Sequence, residues 1–239
     1  TTRTPTVAVL SRRLEEPSWS RPTDIELTNC VVHGAVRIWG MGANGRIEDL
    51  RASSRTADHT AAAQTAAPTR VRLTDVTFSA TGSIPLYVGP GVTAVTVERP
   101  RFTGRSVSTA VYLDAESADN AVTDGVFDIR TGREQIAVDG SARNRITGNR
   151  FDLRGRGGVF LYRNCGEDAV IRHQTPSDNQ ITDNVFTRAG WFRPRAVVVG
   201  AREGNRLYCR DDAGWPFGSS LDDGDHATGN ITTRNAVRR

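Results

Sequence analysis

Along the chain, an aliphatic residue repeatedly precedes an aromatic one by five positions: Leu73 and Phe78, Val97 and Phe102, Val122 and Phe127, Ile146 and Phe151, Ile181 and Phe186. Leu27 with Val32 and Ile47 with Ala52 read as worn copies, and a last copy opens at Ile231. The anchors at 27, 47, 73, 97, 122, 146 and 181 are separated by 20, 26, 24, 25, 24 and 35 residues. A second strand recurs between them with two-residue alternation, in IPLYVG (84–89), TAVYLD (109–114), EQIAVD (134–139), GGVFLY (157–162) and RAVVVG (195–200). Alternate side chains of a strand face opposite ways, so Leu86 and Val88, Val111 and Leu113, Ile136 and Val138, Val159 and Leu161, Val197 and Val199 are expected to point inward.

Short strands divided by Asn, Asp and Gly turns, without a sustained helical period, predict an all-β protein. A unit of this size cannot bury its own apolar face, so successive copies must stack into one continuous core. The expectation is a single solenoid domain over 1–239, with irregular insertions near 51–69, 163–178 and 201–228. Asn120, Asn144 and Asn179 recur at one repeat position and are expected at tight corners. There asparagine tolerates left-handed backbone, and stacked copies can hydrogen-bond along the axis. The stretch at 51–69 is rich in alanine, which favours helix. It lacks an amphipathic stripe and reads as a short helix or a loop leaving the first coils.

The N-x-I-x-x-N-x-F units at 144–151 and 179–186, with a near copy at 120–127, resemble the right-handed parallel β-helix superfamily. The resemblance extends over about 70–190 and is slight in the first 60 residues. It implies a right-handed parallel β-helix solenoid of about eight coils. It also implies a polysaccharide-active protein of pectate lyase or polygalacturonase type, or a tailspike-like shaft, in a secreted or periplasmic setting. The motif consists of corner and core residues, so any chemistry must come from side chains facing outward.

Strands of stacked coils lie about 4.8 Å apart. Aligning the second strand by its inward residues sets Gly89, Asp114, Asp139, Tyr162 and Gly200 in one outward column, beside Tyr87, Tyr112, Ala137, Phe160 and Val198. Asp114 and Asp139 thereby become neighbours on adjacent coils, with Glu116, Glu134, Arg163 and Asn164 close by. Two like charges at that spacing hold one carboxyl protonated while the other stays ionised, which suits glycoside hydrolysis. Asp114 and Asp139 are the expected acid and base or nucleophile, with Glu116 and Glu134 in reserve. Tyr112, Tyr162 and Arg163 would contact the sugar, Trp191 and Trp215 would stack on it, and His173 would serve as a wall or proton relay.

The same residues also suit elimination on a uronate polymer. Asp114, Glu116 and Asp139 would then hold Ca²⁺ through oxygen ligands, with Arg163 or Tyr162 acting on the sugar. Hydrolysis otherwise needs no cofactor. A third reading is a carbohydrate-binding solenoid without catalysis, since an aspartate before glycine, as in Asp139-Gly140, is commonly a turn residue.

Composition narrows the partners. Basic residues number 31 and acidic 27, giving a net charge of +4, and the chain contains no lysine, so every one of those cations is arginine. A lysine base, a Schiff base and a phosphate-loop lysine are excluded, and GMGANG (40–45) reads as a turn. Arginine grips carboxylates with two parallel bonds, which favours an acidic glycan as partner. The arginines are dispersed among acids instead of forming a stripe, so no nucleic acid is expected. No apolar run reaches the roughly 18 residues of a membrane span. The segment 201–226 could fold as a lid, or hold calcium through DDGD (222–225) without the spacing of an EF-hand. His33, His59, His173 and His226 are not spaced like zinc ligands. Cys165 and Cys209 could form one disulfide, whereas Cys30 reads as a small buried residue. No leader is expected within the chain, which opens at Thr1. Open sheet ends leave room for a homo-oligomer.

Overall fold

A computed structural model describes residues 5–15, 18–39, 56–163, 173–188, 191, 193–200 and 227–239. Three sheets, parallel throughout, wrap one core. The first holds β1 (Val7–Leu10), β6 (Val36–Trp39), β9 (Leu86–Val88), β12 (Val111–Leu113), β15 (Glu134–Asp139), β18 (Gly157–Tyr162) and β21 (Arg195–Val199). The second holds β4 (Thr23–Thr28), β7 (Thr69–Thr74), β10 (Thr96–Glu98), β13 (Ala121–Thr123), β16 (Arg145–Thr147) and β19 (Gln180–Thr182). The third holds β5 (Val31–His33), β8 (Thr77–Gly82), β11 (Arg101–Ser106), β14 (Val126–Thr131), β17 (Arg150–Leu153), β20 (Val185–Arg188) and β22 (Ala236–Arg238). A short antiparallel pair, β2 (Arg12–Arg13) with β3 (Trp19–Ser20), stands apart from the three.

The chain visits the sheets in the order first, second, third, so this is a parallel β-helix solenoid. Among the described residues it makes seven coils, one fewer than the repeat spacing implied. The anchor Ile47 falls outside the described residues. Leu27 pairs directly with Leu73 and Val32 with Phe78, so no layer separates those two coils.

The five-residue step has a plain cause. The aliphatic residue of each copy lies on the second sheet and the phenylalanine on the third, both turned inward across a tight corner. Phe78, Phe102, Phe127, Phe151 and Phe186 stack with ring centroids 4.6, 4.6, 4.4 and 4.7 Å apart. Val97, Val122, Ile146 and Ile181 pair rung for rung on the adjoining wall. All are essentially inaccessible and belong to one core cluster running from Val32 to Phe186. Each buried phenylalanine contributes roughly 2–3 kcal/mol by removal from water, and ring stacking adds about 0.5–1.5 kcal/mol per pair.

At the corners the left-handed residue is the one before the asparagine: Asp119, Arg143 and Asp178 have φ of 59°, 54° and 58°. The asparagines themselves turn inward and prolong the ladder with their side chains. Asn120 Nδ2 donates to Asn144 Oδ1 at 3.0 Å, Asn144 Nδ2 to Asn179 Oδ1 at 2.8 Å, and Asn179 Nδ2 to Asn230 Oδ1 at 3.0 Å. A second ladder, Asn149 to Asn184 to Asn235, runs up the next corner at 3.1 and 3.0 Å. The left-handed residue faces water, and there charge recurs: Arg143 lies on Asp119, Arg99 on Asp75 and Arg234 on Asp183.

The alanine-rich stretch carries a helix, α1 (Ala57–Ala66), which leaves the solenoid between β6 and β7. Thr56 caps its start by accepting from the His59 amide at 3.3 Å. Arg21 closes its end, donating to Ala67 O at 2.7 Å and Gln64 O at 2.9 Å. No amphipathic stripe is needed, because the contact face is alanine and polar side chains. Gly91 permits that close approach: a Cβ there would lie 2.6 Å from Ala63 O.

Candidate functional site

The outer face of the first sheet gathers the polar side chains that alternation pointed to. Tyr87, Tyr112, Ala137, Phe160 and Val198 form one column, in register from β9 to β21. Leu113 pairs with Val138 and Asp139 with Tyr162. Asp114 and Asp139 therefore stand on adjacent rungs, with Tyr162 next in the column.

Each carboxylate on this face is held by a tyrosine from a neighbouring rung. The Tyr87 hydroxyl donates to Asp114 Oδ2, and the Tyr112 hydroxyl to Asp139 Oδ2 at 2.5 Å. Asp114 Oδ1 also accepts from the Ala115 amide at 2.8 Å. Tyr162 reaches back one rung and donates to Glu134 Oε1 at 2.6 Å. Arg133 donates to both members of that pair, to the Tyr162 hydroxyl oxygen at 2.7 Å and to Glu134 Oε1 at 3.3 Å.

Glu134 reaches the outer face through a local break in alternation. Gln135 turns inward to donate to the carbonyls of Ile129 (3.3 Å) and Asp152 (2.6 Å), and Ile136 is inward as well. Two consecutive inward residues flip the residue before them outward. The neighbouring strand repeats the break with glycines. A Cβ on Gly158 would lie 2.5 Å from the Phe186 ring of the core, and one on Gly157 would lie 2.2 Å from the outward Phe160 ring.

Burial divides the set. Asp114, Tyr87 and Tyr112 are half-buried, whereas Asp139, Glu134 and Tyr162 are enclosed. Burial, reinforced by the charges of Asp139 and Asp114, pushes the Tyr112 phenol well above its usual 10. Burial again leads for Tyr162, with Tyr112 and Glu134 adding to it. Both hydroxyls thus stay protonated as donors. Burial alone would lower the Arg133 pKa, but Tyr162, Glu134, Tyr112 and Asp139 outweigh it and the guanidinium is held in its charged form. Arg133 sits in the turn entering β15, where no periodicity singles it out. Its only signal in the sequence is adjacency to Glu134.

The remaining candidates take other positions. Glu116, left-handed at φ 62° and fully buried, packs against α1: its Oε1 accepts from Thr60 Oγ1 at 3.3 Å, and its carbonyl from Gln64 Nε2 at 2.9 Å. Gln174 completes this clamp by donating to the Ser117 and Gly140 carbonyls, both at 2.8 Å. His173 Nδ1 lies 3.4 Å from Thr60 Oγ1. Its pKa is pushed down by burial and by the Arg163 guanidinium. Arg163 is itself fully buried, as Glu116 is. Trp191 is fully exposed, between β20 and β21. Trp215, His226, Cys165, Cys209 and the segments 40–45 and 201–226 lie outside the described residues. Cys30 is half-buried against the core.

Among the described residues no group of three His, Cys, Asp or Glu side chains could hold a metal ion, and the calcium set expected from Asp114, Glu116 and Asp139 does not form one. No helix among them is long and apolar enough to cross a membrane. Comparisons with models of protein families, with curated proteins and with solved structures gave no match.

Proposed function

We propose that the outer face of the first sheet cleaves a glycan by hydrolysis, with Asp114 and Asp139 as the paired carboxyl groups. The observation that carries this reading is their position on adjacent rungs, each accepting from a tyrosine one rung below. One carboxyl would give its proton to the glycosidic oxygen. The other would attack the anomeric carbon or take a proton from the water that does.

Tyr112 and Tyr162 serve as donors that position Asp139 and Glu134. Their raised pKa values make phenolate an expensive base, which favours hydrolysis over elimination by a tyrosine base. Arg133 supplies a fixed positive charge beside the carboxylates and suits an anionic sugar.

The test is a panel of acidic and neutral polysaccharides read for new reducing ends and for the ultraviolet absorbance of unsaturated uronates. Hydrolysis predicts reducing ends without that absorbance, and losses of roughly a hundredfold or more in Asp114→Asn and Asp139→Asn. Absorbance rising with cleavage would replace hydrolysis by elimination. A panel in which no glycan is shortened would leave a binding or structural solenoid.

A further inference from the structure

One corner away from the carboxylates, where β11 and β14 end, Arg105 stands beside Arg130 on the next rung and Ser106 beside Thr131. With Val107 and Gly132 they line a cavity of about 320 Å³. That volume lies at the small end of ligand pockets, roughly 300–1,000 Å³, and leaves room for one sugar-sized group.

The two guanidiniums differ from the arginines that are paired along the solenoid corners. Arg70 is matched by Asp24 at 2.7 Å, Arg99 by Asp75 at 2.7 Å, Arg143 by Asp119 at 2.9 Å and Arg234 by Asp183 at 2.6 Å. Arg154, just beyond β17, lies on Asp152 at 2.7 Å and Asp128 at 3.0 Å. Among the described residues Arg105 and Arg130 have no carboxylate partner, and both are exposed. Two such cations a rung apart repel each other, and an anion bridging them turns that repulsion into attraction. The cavity floor adds a donor. Ser106 is buried and its Oγ accepts from the Ser108 amide at 3.2 Å, which leaves its own proton to give. Thr131 Oγ1 donates to the Arg133 carbonyl at 2.7 Å, so one continuous turn joins this cavity to the arginine beside Glu134.

We propose that this cavity binds a carboxylate or sulfate group carried by a sugar, as an anionic subsite for a glycan whose chain continues to the first sheet's outer face. The continuation rests on the function proposed above, whereas the anion site stands on its own residues.

Calorimetric titration of the full chain carrying Asp114→Asn, which blocks turnover, tests it with four probes: a uronate oligosaccharide, a sulfated oligosaccharide, a neutral oligosaccharide and a charge-matched DNA duplex. Binding of the uronate or the sulfated probe, weakened roughly tenfold to a hundredfold by adding Arg105→Gln and Arg130→Gln, supports the site. Which probe binds identifies the anion. The two substitutions are on exposed side chains, and an unchanged melting temperature would verify that folding is intact. Unaltered affinity in the double variant, absence of binding by both anionic sugars, or equally tight binding of DNA would overturn the proposal. Anionic-sugar binding that depends on the two arginines, in a protein whose native form shortens no glycan, would uphold the subsite and sink hydrolysis.

Discussion

Two aromatic columns climb this solenoid on different walls. Inside the third sheet, five phenylalanines stack at 4.4–4.7 Å with nearly no exposure. On the outer face of the first sheet, Tyr87 and Tyr112 are 5.9 Å apart and tilted by 32°, and the column then changes to Ala137, Phe160 and Val198. An inward position meets the same neighbours on every coil, so one residue type solves the packing problem each time. An outward position has no such constraint, and here its hydroxyls reach carboxylates on the next rung. Repetition carries the stability of this protein, and departure from repetition carries its polar chemistry.

That contrast can be broken from the core side first. Phe127→Ala removes the middle of the inner column and is expected to cost about 3–5 kcal/mol, measured by chemical denaturation. A loss below about 1 kcal/mol would mean that the stack relaxes around the gap. Asn149→Ala strips a partner from the Gly125 amide and from the Val122 and Thr147 carbonyls. With buried backbone groups left unpaired, the expected loss is about 2–3 kcal/mol.

On the outer column the balance between stability and activity should reverse. Tyr112→Phe is expected to cost about 1–2 kcal/mol for one charge-assisted hydrogen bond, while lowering the proposed glycan cleavage roughly tenfold or more by freeing Asp139. A pH titration should mark this tyrosine by its late ionisation. Its folded pKa lies above 10, so its stabilisation is complete below pH 10 and is lost as pH rises through the higher folded value. Phenolate absorbance from Tyr112 and Tyr162 should therefore appear above pH 10, together with unfolding, and Tyr112→Phe should remove one of the two late components.

The smallest effect belongs to the exposed corners. Arg70 holds the Asp24 carboxyl near 2, below its ordinary 3.8. Stability from this depressed group is present above 3.8 and fades as pH falls towards 2. Arg70→Ala should raise the Asp24 titration from about 2 towards its ordinary 3.8, with the Thr23 hydrogen bond still lowering it, followed by NMR of its side chain, with little change in melting temperature because the pair is solvated.

Much of this architecture was legible beforehand. The five-residue step between Ile146 and Phe151 announces a tight corner between two inward side chains, and the alternation in TAVYLD announces which face Tyr112 and Asp114 share. The ladder of Asn144 and Asn179 is visible as recurrence, but the left-handed backbone falls one residue before each asparagine. Both Asp119 and Asn120 are corner residues, and only packing decides which of the two faces water. Arg133 carries no such signal, because a turn residue has no period. Glu116 was expected on the outer face, two residues beyond Asp114, but its left-handed backbone and the clamp of Thr60 and Gln64 enclose it. Those two residues come from a helix inserted 50-odd positions earlier.

The amino-acid order by itself determined the coil, the inward set and the column that aligns Asp114 with Asp139, because strand alternation and stacking at a constant rise are local rules applied repeatedly. Tertiary structure alone decided which tyrosine grips which carboxylate, that Asp139 is enclosed while Asp114 stays accessible, and that Arg105 and Arg130 share a cavity with no acidic partner among the described residues. Those outcomes depend on contacts between coils about 24 residues apart and on the inserted helix, where long side chains choose among several partners within reach and burial sets the choice.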